Sequence, residues 1–398
     1  MPLRNIKVLD LSRVLSGPIA TQQLVDLGAC VIKVEHPSNG DDTRRFGPPF
    51  IEGESTYFMS INRGKKSIAI DLKSPRGKEL VLDLVGKCDV VIENFRPGTA
   101  ERLGLGPEQL RNMNPSIISC SISGYGSEGD PAFEGRPGYD AIIQAASGIM
   151  SLTGAVDGPA TKVGVAISDM VAGLYATQGI LAALINRQAK PQSPQHVEIS
   201  MQDAMASFLT YQAGSYFATG ENPARMGDAH SSICPYETLE TKDGPFVFAV
   251  GNDGQFQRFT KLLGVSELAE DPRFETNASR VQNRLALLDF ICPLLREKTR
   301  AEWDSLLVAH NIPGGPVLAV SQALEHPQMQ ARKTILAHDH PVCGQVHSIA
   351  TPVRIEGQRR QDIEAPPALG QHTAEVLREY LNLSAEEIRV LVNDKVIA

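Results

Sequence analysis

The first half of the chain alternates short β-branched runs with longer amphipathic stretches, and that alternation leaves few folds open. Strands buried on both faces read as near-continuous apolar runs, and the segments between them must then be helices covering a parallel sheet. The runs Lys7 to Leu11, Val31 to Glu35, Ser67 to Leu72, Asp89 to Glu93, Ile117 to Ser123 and His196 to Ser200 are the predicted strands. Pro18 after Gly17, Pro75 after Ser74 and Pro107 after Gly106 mark helix starts, because the first helical position loses nothing by lacking an N–H. This pattern predicts an α/β fold with a Rossmann-like large domain and a parallel sheet over residues 1–205. No GxGxxG stands between the first strand and the first helix, so a nicotinamide enzyme is disfavoured. Gly124-Tyr125-Gly126 is only a partial match and reads as a turn after a strand.

The texture changes between 225 and 325. Two short strands, around Tyr236 to Glu240 and Pro245 to Val250, precede several helices, which predicts a smaller α+β domain. Thr299 and Glu302 have capping-box spacing, and Pro313-Gly314-Gly315-Pro316 reads as a turn closing the segment. Residues 330–398 form a C-terminal segment expected to return to the large domain, its last helix opened by Ser384 and Glu387. With 398 residues, 42% of them hydrophobic, the chain can bury the cores of two domains.

A net charge of −8 and a pI near 5.7 argue against nucleic acid and anionic membranes as partners. The start, MPLRNIKVLDLSRV, lacks the zones of a signal peptide, and the chain is expected in the cytoplasm. Six cysteines without a CxxC pair, and nine histidines without HExxH spacing, predict no metal site.

Asp169 draws attention because it lies between the run Val163 to Ile167 and a long helical stretch from about Met170 to Leu184. A carboxylate at a helix start accepts bonds from unpaired N–H groups and faces the positive end of the dipole, so it is expected to stay ionised at neutral pH. Spacing alone fits a helix cap as well as a reactive group.

Several segments, in order along the chain, decide more. RVLSGPIATQQLVDLGACVIKVEHP at 13–37, NRGKKSIAIDLKSPRGKELVLDLV at 62–85 and VIENFRPGTAERLGLG at 91–106 come first; GRPGYDAIIQAASGIMSLTG at 135–154, VGVAISDMVAGLYATQGILAAL at 163–184, NIPGGPV at 311–317 and LGQHTAEVL at 369–377 follow. Together they resemble the class III CoA-transferase family from end to end. The resemblance implies that Asp169, in the family's SD/GD-xxxG motif, is a nucleophile forming mixed anhydrides and an aspartyl-CoA thioester. It implies coenzyme A as cosubstrate, no permanently bound cofactor, acyl-CoA and a small carboxylic acid as partners, and an interlocked homodimer. By the same resemblance Asn94, Phe95 and Arg96 belong to the NFxPG loop that binds CoA, with Arg102 near its phosphates and Val14, Leu15, His36 and Arg136 along its path.

Tyr139 separates branches of the family. Acyl-CoA racemases of the same fold pair their Asp with a His in a GHD motif, since exchange at Cα needs two bases, whereas this chain has Gly138-Tyr139-Asp140. Racemase or epimerase is therefore the second reading and a non-catalytic CoA-binding protein the third, while Tyr139 is expected to line the active site. The stretches 41–50, 55–63 and 225–244 look most like succinyl-CoA:glutarate CoA-transferases and bacterial dicarboxylate relatives. That likeness implies succinyl-CoA as donor and glutarate, itaconate or a similar dicarboxylate as acceptor. A second carboxylate needs a cationic or multi-donor partner, and Arg44, Arg225, His230 and Ser231 are the candidates.

Overall fold

The computed structural model describes residues 1–133, 135–189, 195–356 and 363–398. The chain divides into two compact units: Met1–Ile149 with Val163–Ala213 and Gln328–Ala398, and Met150–Lys162 with Gly214–Pro327.

In the first unit, β1 (Lys7–Asp10), β2 (Cys30–Glu35), β3 (Lys66–Ala69), β4 (Val90–Glu93), β5 (Ile118–Ser123) and β6 (Gln195–Ser200) form one sheet. Its order is β3-β2-β1-β4-β5-β6. Every neighbouring pair is parallel, with Val8 beside Val31 on one side and Val90 on the other. The order reverses between β1 and β4, so the loops leaving those two strands diverge to opposite faces and open a crevice at the carboxyl ends.

Alternate residues of each strand feed two cores. Val8, Val90, Ile92, Ile118 and Ile122 face α1 (Ser16–Asp26) and the long helix Ile167–Ala189. Leu9, Val91, Ile32 and Val34 face α2 (Pro75–Val85) and residues of the C-terminal helices such as Val376 and Leu391. Each such Val, Leu or Ile removed from water contributes about 1.5–3 kcal/mol. Ser74 caps α2 through Gly77 N–H with Pro75 at its first position. Pro18 is instead the third residue of α1, still inside the turn whose N–H groups have no helical acceptor. At the sheet edge Ala69 N–H donates to Thr373 Oγ1 at 3.0 Å, and Ala398 N–H donates to Ala69 O at 3.2 Å, which ties the chain's end to β3.

Ile167–Ala189 is the only helix among the described residues long and apolar enough to cross a membrane by length and composition. Val171, Ala172, Ala176 and Ile180 are buried against the sheet and α1, so here it is a core helix.

The second unit has its own antiparallel sheet of Tyr236–Thr241, Gly244–Ala249 and Gly314–Pro316 around an aromatic core of Phe246, Phe248, Phe259 and Trp303. The turn expected at Pro313 to Pro316 is therefore an edge strand. A Cβ at Gly314 would meet Leu307 Cδ1 at 2.6 Å, so only glycine lets that strand lie so close to the core. Capping boxes form at Thr299 with Glu302 and, in the first unit, at Ser384 with Glu387. Residues 150–162, expected within the large domain, group with the second unit. There Thr161 N–H donates to Thr153 O at 3.0 Å and the Arg225 guanidinium donates to Gly158 O.

Candidate active site

The loop from β1 into α1 is held by buried charge. Asp10, Lys33 and Asp41 are all essentially inaccessible, and Lys33 Nζ lies 2.8 Å from Asp41 Oδ2 while donating to Ser12 O at 2.8 Å. Burial pushes the Asp41 carboxyl up, but Lys33 and the bonds from Thr43 more than reverse this and hold it at about 2. Its ionised Oδ1 accepts the Val14 N–H at 3.2 Å, fixing Val14 at a φ of 66° that a β-branched residue rarely adopts. Asn94, just beyond β4, completes the clamp: its Oδ1 accepts Arg13 N–H at 2.8 Å and its Nδ2 donates to Arg13 O at 2.6 Å.

Opposite this loop stand α3 (Asp140–Ala146) and α4, the helix Ile167–Ala189. Two glycine contacts place them. A Cβ on Gly138 would lie 2.1 Å from Gly124 Cα, so the two backbones touch and bring Arg136 and Tyr139 over the end of β5. A Cβ on Gly173 would lie 2.7 Å from Ser16 O and 2.8 Å from Ile19 Cγ2, so α4 approaches α1 at van der Waals limit. Asp169 is four residues earlier on the same face and is thereby laid against the start of α1. This is the physical reason for the D-xxx-G spacing.

Asp169 does not cap its own helix. Asp140 does that, its Oδ1 accepting Ser168 N–H at 3.0 Å and Ser168 Oγ at 2.8 Å. The Asp169 carboxyl lies against the start of α1, where the hydroxyl and N–H of Ser16, the first residue of that helix, favour its charged form. The expectation that it stays fully ionised is corrected as well. Burial pushes its pKa up, the neighbouring Asp140 charge adds to this, and the Ser16 donors recover only part, leaving it at about 7.

A cavity of about 190 Å³ opens on Asp169 and is walled by Arg13, Val14, Ser16, Asn94, Phe95, Arg96, Arg136 and Tyr139, among others. Val14, Asn94, Phe95, Arg96, Arg136, Tyr139 and Asp169 are thus brought together. A second cavity, of about 260 Å³, shares Arg13 and Phe95 with the first and adds His36, Leu72 and Lys73 beyond the ends of β2 and β3, and Leu103 from the short helix Thr99–Leu103. Leu15 and Arg102 wall neither: Leu15 is buried at the N-cap of α1, and Arg102 bonds Thr99 Oγ1 at 2.7 Å on the surface.

Arg44 walls neither cavity either. Its guanidinium is consumed by Glu35, with Nε to Oε2 and Nη2 to Oε1 both 2.7 Å, and lies 3.6 Å from the Phe58 ring centroid. Arg225, His230 and Ser231 belong to the second unit. There the His230 ring packs on Tyr236 and accepts Ser232 N–H at 3.0 Å through Nδ1, and Ser231 Oγ is 3.4 Å from Ser232 Oγ.

Three residues escaped the sequence reading. Arg13 and Ser16 flank Val14 and Leu15 in the same RVLSGP run, so the loop was legible but not which of its side chains point inward. Tyr57 is the third: burial and the charges of Asp169, Asp140 and Asp41 push its phenol up to about 12, so it stays protonated near those carboxylates. No cluster of metal ligands occurs among the described residues.

The large unit is thus a doubly wound α/β sheet that presents a carboxylate beside its switch-point crevice and has no dinucleotide loop after its first strand. The comparisons with known proteins agree. The model of CoA-transferase family III matches residues 3–373, and the chain belongs to that family of enzymes. It is 40% identical over 396 residues to succinyl-CoA:glutarate CoA-transferase of Mus musculus, covering 100% of this chain and 90% of that one. It is 41% identical over 388 residues to succinate–glutarate CoA-transferase of Agrobacterium fabrum, covering 95% of each. Among solved structures, a CAIB/BAIF family protein from Brucella suis superposes with a TM-score of 0.85 at 42% identity, over 96% of this chain and 99% of that one.

Proposed function

We propose that this CoA-transferase moves CoA from succinyl-CoA to a small dicarboxylate such as glutarate or itaconate, with Asp169 as covalent nucleophile. The observation that carries the reading is that Asp169 is relieved of capping by Asp140 and opens on the cavity. The Asp169 carboxylate attacks the thioester carbonyl and expels CoA thiolate, giving a mixed anhydride. The thiolate attacks the aspartyl carbonyl and expels succinate, leaving an aspartyl-CoA thioester. The acceptor carboxylate then attacks that thioester, and the returning thiolate releases the new acyl-CoA and restores Asp169. No proton is consumed, and no metal or redox group is required by this balance.

The two cavities share Arg13 and Phe95, which supports one continuous path for CoA. Its nucleotide fits the cavity of His36, Lys73 and Leu72, and its pantetheine runs past Arg13 and Phe95 toward Asp169. Apolar and aromatic side chains left in water support the homodimer. Phe208, Tyr211, Tyr216 and Phe217 lie on one stretch and Leu174 and Ile185 on α4, and a second copy is the occupant we propose for them.

The test is incubation with succinyl-CoA and a panel of acids from oxalate to adipate, with intact-protein mass spectrometry of the quenched enzyme. New acyl-CoA products and a CoA adduct on Asp169, both lost in Asp169→Ala, support the reading. Solvent deuterium entering Cα of a branched acyl-CoA without transfer would replace it with racemisation.

A further inference from the structure

Arg13 and Phe95 are the two residues common to both cavities, so the neck between them is as wide as these two side chains allow. Neither side chain carries a strong anchor of its own. Among the described residues the Arg13 guanidinium pairs with Asp42 alone, at 3.3 Å, and with side chains 54% and 38% exposed that pair holds little. Phe95 is half-buried and has no polar side-chain atom to tie down. Both are instead held through the main chain, by adjacent residues. Asn94 takes both main-chain groups of Arg13, its Oδ1 accepting the N–H at 2.8 Å and its Nδ2 donating to the carbonyl at 2.6 Å. Glu93 takes the main chain of Phe95, its Oε2 accepting the Phe95 N–H at 2.6 Å.

Glu93 is the last residue of β4, which lies between β1 and β5, and it pairs with Ser121 across the sheet. It follows Val91 by two residues and so faces the same core, against which Phe95 also packs. A carboxylate on that face is costly unless something is gained from its charge. Among the described residues it makes no ion pair, and its one hydrogen bond is the one from Phe95. A carboxylate binds an N–H about twice as strongly as a neutral oxygen does, so what the charge adds at this position is a firmer hold on Phe95. We infer that Glu93 is a positioning residue for coenzyme A, holding Phe95 at the neck so that the pantetheine arm passes from one cavity to the other. The inference rests on the reading of the two cavities as one CoA path, and not on the chemistry of Asp169.

The test is calorimetric titration of coenzyme A into the full-length protein, which needs no turnover. Phe95→Ala is expected to raise the Kd about tenfold and Glu93→Ala about fivefold. Glu93→Gln keeps an oxygen for the Phe95 N–H and returns the Kd to within about twofold of wild type. The double variant Glu93→Ala/Phe95→Ala binds as Phe95→Ala does, because a residue acting through Phe95 then has nothing left to position. Where Glu93→Ala melts too low to titrate, Glu93→Leu, which fills the volume without an acceptor, replaces it in the cycle. Wild-type affinity in the Ala or Leu variant would overturn the inference, as would additive losses in the double variant or equal losses in the Gln and Ala variants. An unchanged Kd in Phe95→Ala would instead overturn the reading of the two cavities as one CoA path.

Discussion

Asp140 performs the capping that Asp169 would otherwise perform, accepting the Ser168 N–H at 3.0 Å one residue ahead of it. The two carboxylates thereby take different tasks from neighbouring positions. One is satisfied by Ser168 and by Gln144 Nε2 at 2.8 Å, and the other is left with an oxygen toward the cavity and a charge beside it that resists its own ionisation.

Asp140→Asn keeps the capping oxygen and removes the charge. The Asp169 carboxyl then loses its like-charged neighbour, and the acid limb of kcat/KM moves to lower pH. Asp140→Ala also removes the cap and lowers stability by about 1 kcal/mol. A pH profile of Asp140→Asn superimposable on wild type would show that Asp140 acts only as a cap.

The raised pKa of Asp169 has a sign in stability. Between its ordinary 3.8 and the folded value of about 7 the native chain holds a proton that the unfolded chain has released, so stability falls as pH rises through that window. Asp169→Asn carries no such titration. Its melting temperature relative to wild type is expected to rise from acid to about pH 8, where the wild-type carboxylate is charged and desolvated. A constant difference across the range would place the carboxyl in a more solvated setting.

Much of this was legible in the residues. Five of the six strands of the large sheet lie within about a residue of the predicted runs, because burial on both faces leaves no other pattern, while β3 ends at Ala69, three residues short of the expected Leu72. Asp169, Tyr139 and the Asn94 loop were visible through their motifs. What stayed hidden depends on long-range pairing. Nothing near Asp169 in sequence says that Asp140 fills its cap, and nothing near Arg44 says that Glu35 claims the Nε–Nη2 edge of its guanidinium. Gly314 reads as a turn residue by composition and becomes a strand residue only because Phe246 and Leu307 leave no room for a side chain.

Gly173→Ala tests the packing that delivers Asp169. The new Cβ would meet the Ser16 carbonyl oxygen and the Ile19 side chain, and since the first is backbone, the helices must separate. The expected cost is about 1–3 kcal/mol of stability. Because the displacement also carries Asp169 away from Ser16, kcat falls by more than the loss of folded protein explains, and adduct formation slows with it. A stable variant with wild-type adduct kinetics would mean the contact is slack.

Arg44 decides between a site residue and a strut. Its side chain is 8% exposed and that of Glu35 1%, and Glu35 also accepts Asp41 N–H at 2.9 Å and Ser67 Oγ at 2.6 Å. Burial pushes the Glu35 carboxyl up, and the Arg44 bonds and charge, with help from the Lys33 charge and the Ser67 hydroxyl, more than reverse it, so the carboxylate is held ionised. Arg44→Ala leaves a buried carboxylate without its partner, which costs about 3–5 kcal/mol. The expected outcome is a large drop in melting temperature with the KM for the acceptor acid, measured on the folded fraction, within about twofold of wild type. Were Arg44 instead the ligand of the acceptor's remote carboxylate, stability would hold while that KM rose roughly a hundredfold for dicarboxylates and stayed level for monocarboxylates, a split that steady-state kinetics with matched acid pairs resolves directly.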